Sequence, residues 1–388
     1  VLKVDFVGAS ASSVEWNNLV DASDISEGQY VRGKVTDVRK LFGAMKFNEE
    51  DLFVLDGKLS EQSAVDKLLD TIPGFVQSMS DQVSQSILGG PWIDRQKAAG
   101  SNSTLSTSII EVYRPERFKA GMKVIIRDVD ASSLTTGYVY KIDKNNDTIT
   151  LTTARIYPGD GNSPTYIDLS NATKYPLGFK IYLPGGISAG GTEYGFDTLR
   201  ASLLSAANGG SSTLYGVTKL NWEYTQSLNF DGSSMTATSI LEDIFDAMVK
   251  VRRYSGNKTS EAWMSFKLFG LCMKILELQK GAFNQADKMD VNAYGWQSIT
   301  IQGVKGTIKL VAINEAEDDV IMLMNPKAIK FHTYNFIQRI KDANGNMFYV
   351  SRATTGYSFI TDHRLQGNFV LNDPSSCGII YSIPLTLA

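Results

Sequence analysis

The sequence predicts an α+β protein, on three observations. The stretches 60–88 and 237–281 repeat apolar residues at helical spacing. The span 109–183 breaks into short runs that alternate along the chain and are bounded by turn residues. From Phe331 onward the chain is again β-rich. At 388 residues it is too long for one small core, so two or three domains are expected.

Val1 to Asn18 carries Val4, Phe6, Val14 and Trp16 among Gly8, Ala9 and several serines, which reads as an extended arm. Gln29 to Phe53 reads as a long β-hairpin. Tyr30, Val31, Val35 and Val38 mark one strand and Leu41, Phe42, Met45 and Phe47 the other, with Gly43 as a bulge or twist point. A two-stranded ribbon is marginal in water, so this one should lie on another surface, of its own chain or of a neighbour.

Ser60 to Leu88 is helical. Ala64, Val65, Leu68, Leu69 and Ile72 form one apolar set, and Phe75, Val76, Met79, Val83 and Ile87 a second. Pro73-Gly74 is expected to interrupt them, because proline removes a backbone donor and crowds the preceding turn. Gly89-Gly90-Pro91 ends the element.

Arg95 to Ser108 is polar and rich in small residues, and reads as a loop or linker. Strands follow at Ile109–Tyr113, Met122–Val129, Gly137–Ile142, Asp147–Thr153 and Phe179–Leu183, a set that suggests a small inserted barrel or sandwich. Asp143 to Asp147 is the turn between two of them. Pro184 to Gly216 is rich in Gly and Ser, which reads as loops around a short helix near Asp197–Ala206.

The clearest stretch is Ala237 to Gly281. Ser239 and Glu242 have capping-box spacing. Ile240, Leu241, Ile244, Phe245, Met248 and Val251 share one helical face, the charges at both ends complement the helix dipole, and Gly256 stops the helix. Glu261–Met264 is a buried strand. Ser265 caps a second helix with Leu268, Phe269, Leu271, Cys272, Ile275, Leu276 and Leu278 on its apolar face, ended by Gly281. Beyond it, Trp296–Ile301 and Thr307–Ile313 form a hairpin around Gly303 and Gly306. Val320–Met324 is an apolar strand stopped by Asn325-Pro326. Turns at Asn344-Gly345 and Asp373-Pro374 divide the last strands, and Gly378–Leu387 is the final run.

Composition narrows the function. Hydrophobic content of 43% and charged content of 20% are those of an ordinary globular protein. A formal net charge of -3, with no run of Lys and Arg, excludes broad neutralisation of a nucleic-acid backbone. No apolar run is long enough for a membrane-spanning helix. The two cysteines, Cys272 and Cys377, read as buried small hydrophobes and favour a reducing compartment. The chain starts at Val1 without Met, which either Met removal or cleavage of a longer precursor would explain.

His332 and His363 stand in no metal or base–nucleophile spacing and read as packing or surface residues. Gly256 to Thr259 ends like a P-loop, but Val251 stands where its first Gly belongs, so it reads as a helix stop and a turn. Asp143, Asn145 and Asp147 match the start of a calcium loop, whose Gly and distal Glu are replaced by Thr148 and Ala154. Asn102, Asn146, Asn171 and Asn257 fall in sequons without a secretory segment to support glycosylation. No catalytic residue, cofactor or metal site is predicted.

The order of elements resembles the major capsid proteins of tailed phages, the family with the Hong Kong ninety-seven type fold. The resemblance is carried by Leu41-Phe-Gly-Ala-Met-Lys-Phe-Asn-Glu-Glu-Asp-Leu52, by Thr213-Leu-Tyr-Gly-Val217, by Ala237–Gly281 and by Ile299-Thr-Ile-Gln-Gly303. It implies an N-terminal arm (1–28), an extended β-hairpin loop (29–57), a spine helix of a peripheral domain (58–108), an inserted β domain (109–186), most of an axial domain (187–325) and returning peripheral strands (326–388). It implies a subunit that assembles with itself, in hexamers and pentamers, into the icosahedral shell of a virion built in the host cytoplasm. Scaffold, portal and decoration proteins would be its partners, with packaged double-stranded DNA in weak contact and no membrane. Tyr30, Val38, Lys40, Phe42, Lys46 and Phe47 are the expected subunit-interface residues. The family's chain-mail member joins Lys to Asn covalently. Lys34, Lys40 and Lys46 lie in the matching loop, but no acceptor Asn or assisting Glu is matched, and cross-linking is not expected. The alternatives are another β-rich structural subunit, of a phage tail or surface layer, and an enzyme with a carboxylate site in the β insert.

Overall fold

The computed structural model describes residues 2–7, 30–35, 39–48, 61–90, 92–97, 109–130, 132–171, 173–176, 178–196, 198–221, 223–278, 287–291, 297–303, 306–340, 349–353 and 356–384. Val38, Asn102, Gly281 and the Asn344-Gly345 turn lie outside them.

In chain order the first elements are β1 (Leu2–Val7), β2 (Tyr30–Val35), β3 (Arg39–Asn48) and helix α1 (Glu61–Leu88). Strands β4 (Trp92–Arg95), β5 (Ile109–Glu111), β6 (Lys123–Asp128), β7 (Ser133–Asp143), β8 (Thr148–Thr152) and β9 (Lys180–Tyr182) follow. Next come α2 (Leu199–Leu203), β10 (Thr213–Leu214), β11 (Val217–Thr218), β12 (Leu228–Asp231), α3 (Ile240–Ser255), β13 (Glu261–Met264) and α4 (Phe266–Leu278). The last are β14 (Asp287–Val291), β15 (Gln297–Gly303), β16 (Gly306–Ala312), β17 (Ile321–Met324), β18 (Ile329–Arg339), β19 (Tyr349–Ala353), β20 (Gly356–Leu371) and β21 (Gly378–Tyr381).

The chain divides into two compact units. One is Val1–Ser80 with Asp197–Ala388, and the other, Asp81–Phe196, interrupts it. An inserted β unit was expected at 109–186. It begins earlier because β4, hidden behind Gly89-Gly90-Pro91 and only four residues long, is part of its sheet.

That sheet is antiparallel, in the order β4-β9-β6-β7-β8-β5. It closes on itself: Gln96 bridges Val112, and the Lys97 amide donates to the Glu111 carbonyl at 2.8 Å. A closed sheet has no free edge to protect. Alternate residues point inward, so Ile93, Ile110, Val124, Ile126, Val139, Ile149, Leu151 and Ile181 fill the interior. Asp94 sits at a register shift opposite β9, buried, and accepts from the amides of Arg95 (2.8 Å) and Arg114 (2.6 Å). Burial raises its pKa above the ordinary value, and those two bonds oppose the rise. Beyond β9, the stretch expected to be loop folds back as a small hairpin bridged at Ile187 and Glu193. Glu193 holds it down by accepting from the Tyr182 hydroxyl (2.7 Å) and Lys180 Nζ (2.9 Å).

The other unit is built on a mixed seven-stranded sheet in the order β12-β21-β17-β13-β16-β15-β14. The predicted Glu261–Met264 strand lies at its centre, antiparallel to β17 and parallel to β16. Helices α3 and α4 share a buried core with it: Ile240, Ile244, Met248 and Val251 from α3, Leu268, Phe269 and Cys272 from α4, and Met264, Leu310 and Leu323 from the sheet. The expected β15–β16 hairpin is present, in register from Gln297–Ala312 to Gly303–Gly306. The last strand, β21, was grouped with the returning strands, but it pairs with β12 and β17 and belongs to this sheet.

The start of α3 differs from expectation. Ser239 is already helical (φ -94°, ψ -16°) and makes no cap bond to the helix. The reciprocal pair forms one turn earlier: the Ser239 amide donates to Thr236 Oγ1 and the Thr236 amide to Ser239 Oγ, both at 3.1 Å. Thr236 and Ser239 also stand three apart, and the Ser239 hydroxyl is then free to donate to Asp243 at 2.8 Å. At the other end Gly256 takes the left-handed conformation (φ 61°) expected of a helix stop.

Helix α1 runs unbroken through Pro73, contrary to the expected interruption. Pro73 and Gly74 are exposed, so the ring projects away from packed neighbours, and a packed stripe including Met79 and Val83 holds the helix together.

Candidate intersubunit surface

The structure corrects the predicted ribbon. β2 and β3 do not pair with each other. β2 pairs with the arm strand β1, antiparallel, from Leu2–Val35 to Val7–Tyr30. β3 pairs with β20, antiparallel, over ten positions from Arg39–Gly367 to Asn48–Ser358. The apolar pattern of the two runs was legible, but pattern alone does not choose a partner, and the residues that complete each pairing lie at opposite ends of the chain.

β20 is the centre of a four-stranded sheet. Ser358–Ile360 already pair with β19 and His363–Gly367 with β18, so β3 takes the opposite edge. Among the described residues no strand pairs with the outer edge of β3. Leu41, Gly43 and Met45 turn toward α1. A Cβ on Gly43 would stand 2.5 Å from Phe75 Cζ and 3.1 Å from Met79 Sδ, so glycine is there for close approach and not for a bulge. Opposite it, the buried His363 ring lies 5.2 Å from that of Phe75, as a packing residue. The outward face carries Lys40, Phe42 and Ala44, and Phe42 is 61% exposed. An open ten-residue edge bearing an exposed aromatic is a surface made for another strand or side chain.

The predicted interface residues therefore fall into two groups. Lys40, Phe42, Lys46 and Phe47 lie on β3, opposite Gln366, Arg364, Ile360 and Phe359. Tyr30 lies on β2, opposite Val7 of the arm. Val38 is outside the described residues.

The anchor of the β1–β2 pair is not among the residues predicted from the sequence. Tyr215 and Gly216 both take positive φ (52° and 82°) in the tight turn of the β10–β11 hairpin. The Tyr215 carbonyl accepts from the Lys34 amide at 2.8 Å, and its hydroxyl accepts from the Leu371 amide at 2.7 Å. Val35, Leu214, Val217 and Val370 close over this point. The Tyr-Gly dipeptide inside Thr213–Val217 was the available signal, but its partners are far away in sequence.

Other chemistry-bearing groups are occupied structurally. Cys272 and Cys377 are buried, and burial pushes each thiol up to about 12. Asp143 accepts from the amides of Asn145 and Asn146 and from the Asn146 side chain, which makes the loop a hairpin turn. Asn171 accepts from the amides of Thr173 and Lys174. His332 is exposed. Among the described residues no group of three or more His, Cys, Asp or Glu is placed to hold a metal ion, and no helix is long and apolar enough to cross a membrane.

No family model matches the chain, and no curated protein matches it. Solved structures do align with nearly all of it. The Cyanophage A-1(L) capsid asymmetric unit aligns at 12% identity and a TM-score of 0.49, over 98% of this chain and 88% of that one. The capsid of Myoviridae Phage XM1 aligns at 8% identity and a TM-score of 0.41, over 98% and 85%. The holo-SrpI encapsulin complex from Synechococcus elongatus PCC 7942 aligns at 5% identity and a TM-score of 0.33, over 99% and 83%.

Proposed function

We propose that the chain is a shell subunit, the major capsid protein of a tailed bacteriophage, which assembles with copies of itself into an icosahedral head around DNA. The observation that carries this reading is the pair of unfinished β surfaces. β1–β2 is a two-stranded sheet of six-residue strands, a form that is marginal alone in water. β3 is a long edge strand with Phe42 outward. A protein that works alone gains nothing from leaving both open, whereas a shell subunit completes them with its neighbours. The sequence resemblance to capsid proteins, and the order of arm, helix, inserted barrel and helix–strand–helix core, support the same reading.

On this reading the copies are grouped in hexamers and pentamers. Scaffold, portal and decoration proteins are the outside partners. DNA is enclosed with weak contact, in keeping with a net charge of -3. The protein's role is structural and not catalytic, without a cofactor or a covalent cross-link through Lys34, Lys40 or Lys46. Its place is the virion, after assembly in the host cytoplasm.

Negative-stain electron microscopy of the expressed chain tests the proposal. Closed shells of uniform size are expected. Tubes or flat sheets would favour a tail or surface-layer subunit, and stable monomers at high concentration would refute a self-assembling role.

A further inference from the structure

A cavity of about 310 Å³ opens at the root of the β1–β2 pair. Lys34 and Arg39 line it from the ends of β2 and β3, Thr198 from the cap of α2 and Ser202 from within it, and Ser211 and Thr213 from the β10–β11 hairpin. No Asp or Glu is among its lining residues. Lys34 is exposed and has no ion-pair partner among the described residues, while its own backbone is fixed by the hydrogen bond its amide donates to the Tyr215 carbonyl. Thr198 Oγ1 accepts from the Ala201 amide at 3.0 Å, which leaves its O–H to donate. Ser202 brings a buried hydroxyl. The Lys34 ammonium and hydroxyl donors, with no Asp or Glu among the lining residues, make a setting in which a negatively charged oxygen is favoured over water, since bonds from charged donors to oxyanions are the strong ones.

We propose that this cavity binds an oxyanion, and that in the assembled protein the oxyanion is a carboxylate side chain of a second copy of the chain. The second clause rests on the shell reading. The first does not. The chain carries 41 Asp and Glu against 38 Lys and Arg, so a neighbouring copy has carboxylates to offer. A carboxylate seated here would touch the end of β2 and the hairpin that anchors it, and so would fix the direction in which the β1–β2 pair leaves the body.

The test is a thermal-melt titration of the unassembled chain with potassium glutamate and, separately, with inorganic phosphate, against potassium chloride at matched ionic strength. A saturable stabilisation by both anions is expected, with the apparent Kd raised about tenfold in Lys34→Gln, the loss anticipated for one charge-assisted bond. Equal titrations for the wild type and Lys34→Gln, or no saturable effect of either anion, would overturn the site. Binding of phosphate without glutamate would overturn the carboxylate as its occupant. Lys34→Glu should slow assembly, whereas Lys123→Glu, an exposed change in the inserted barrel, should not. Equal assembly by both would remove the intersubunit role. A wild type that binds glutamate but never assembles would refute the shell reading and leave the anion site standing.

Discussion

Lys219 is buried with its ammonium turned back onto the chain, where Nζ donates to the carbonyls of Ala201 and Leu204, each at 2.9 Å. These carbonyls lie in and just after α2, so the lysine closes the end of that short helix. Burial disfavours the charged form and lowers the pKa from 10.5 to about 8. The folded value lies below the unfolded one, so between the two the unfolded chain binds more protons, and stability rises with pH. The unfolding free energy of the wild type relative to Lys219→Met should therefore climb as pH goes from about 8 to about 10.5. Chemical denaturation at both ends of that window measures it, and a difference independent of pH would contradict the burial argument. Lys219 was not singled out from the sequence, because nothing in a lone lysine reports that two carbonyls will enclose it. Gly43 was singled out for the wrong reason. A missing side chain within a strand is visible in the sequence, but the Phe75 and Met79 atoms that require it belong to a helix some thirty residues on.

At the scale of elements, helices and strands were more legible than their pairings. The apolar faces of α3 and α4 and the strand between them follow from local periodicity, and all three formed where expected. Local signals also misled. Two hydroxyl residues three apart, Thr236 and Ser239, competed with Ser239–Glu242 for the cap of α3 and won. Pro73 did not break α1, since tertiary packing outweighed a local cost of about 3 kcal/mol. The inserted barrel was recognised from alternation, yet its first strand, β4, was missed, and this has a consequence for expression. A fragment of residues 81–196 contains all six strands and the Gln96–Val112 closure, whereas one of residues 109–186 lacks β4 and leaves β9 and β5 with open edges. The longer fragment should give a β-type circular-dichroism spectrum and a single cooperative melt, and the shorter one should not. Cooperative folding of the shorter fragment would show that closure through β4 is dispensable.

At the scale of the molecule, two self-sufficient cores stand beside strands that, among the described residues, keep open edges. The seven-stranded sheet with α3 and α4, and the closed barrel, each bury their own apolar residues. Among the described residues, no further strand pairs with the β1–β2 sheet or with the outer edge of β3. The apolar pattern of Gln29–Phe53 placed the ribbon between β2 and β3, because the pairing of an arm with a strand some thirty residues later leaves no local trace. Phe42 is the point where the claim is most exposed. Its side chain stands outward on β3, 61% exposed, so replacing it removes little from the folded subunit, and a surface change of this kind shifts stability by about 0.5 kcal/mol or less. The most direct measurement is electron microscopy of wild-type chain and Phe42→Asp, prepared side by side and matched by circular dichroism. The account predicts closed shells from the wild type, and from Phe42→Asp soluble, folded subunits that do not close. Normal shells from Phe42→Asp would show that β3 is not the intersubunit surface.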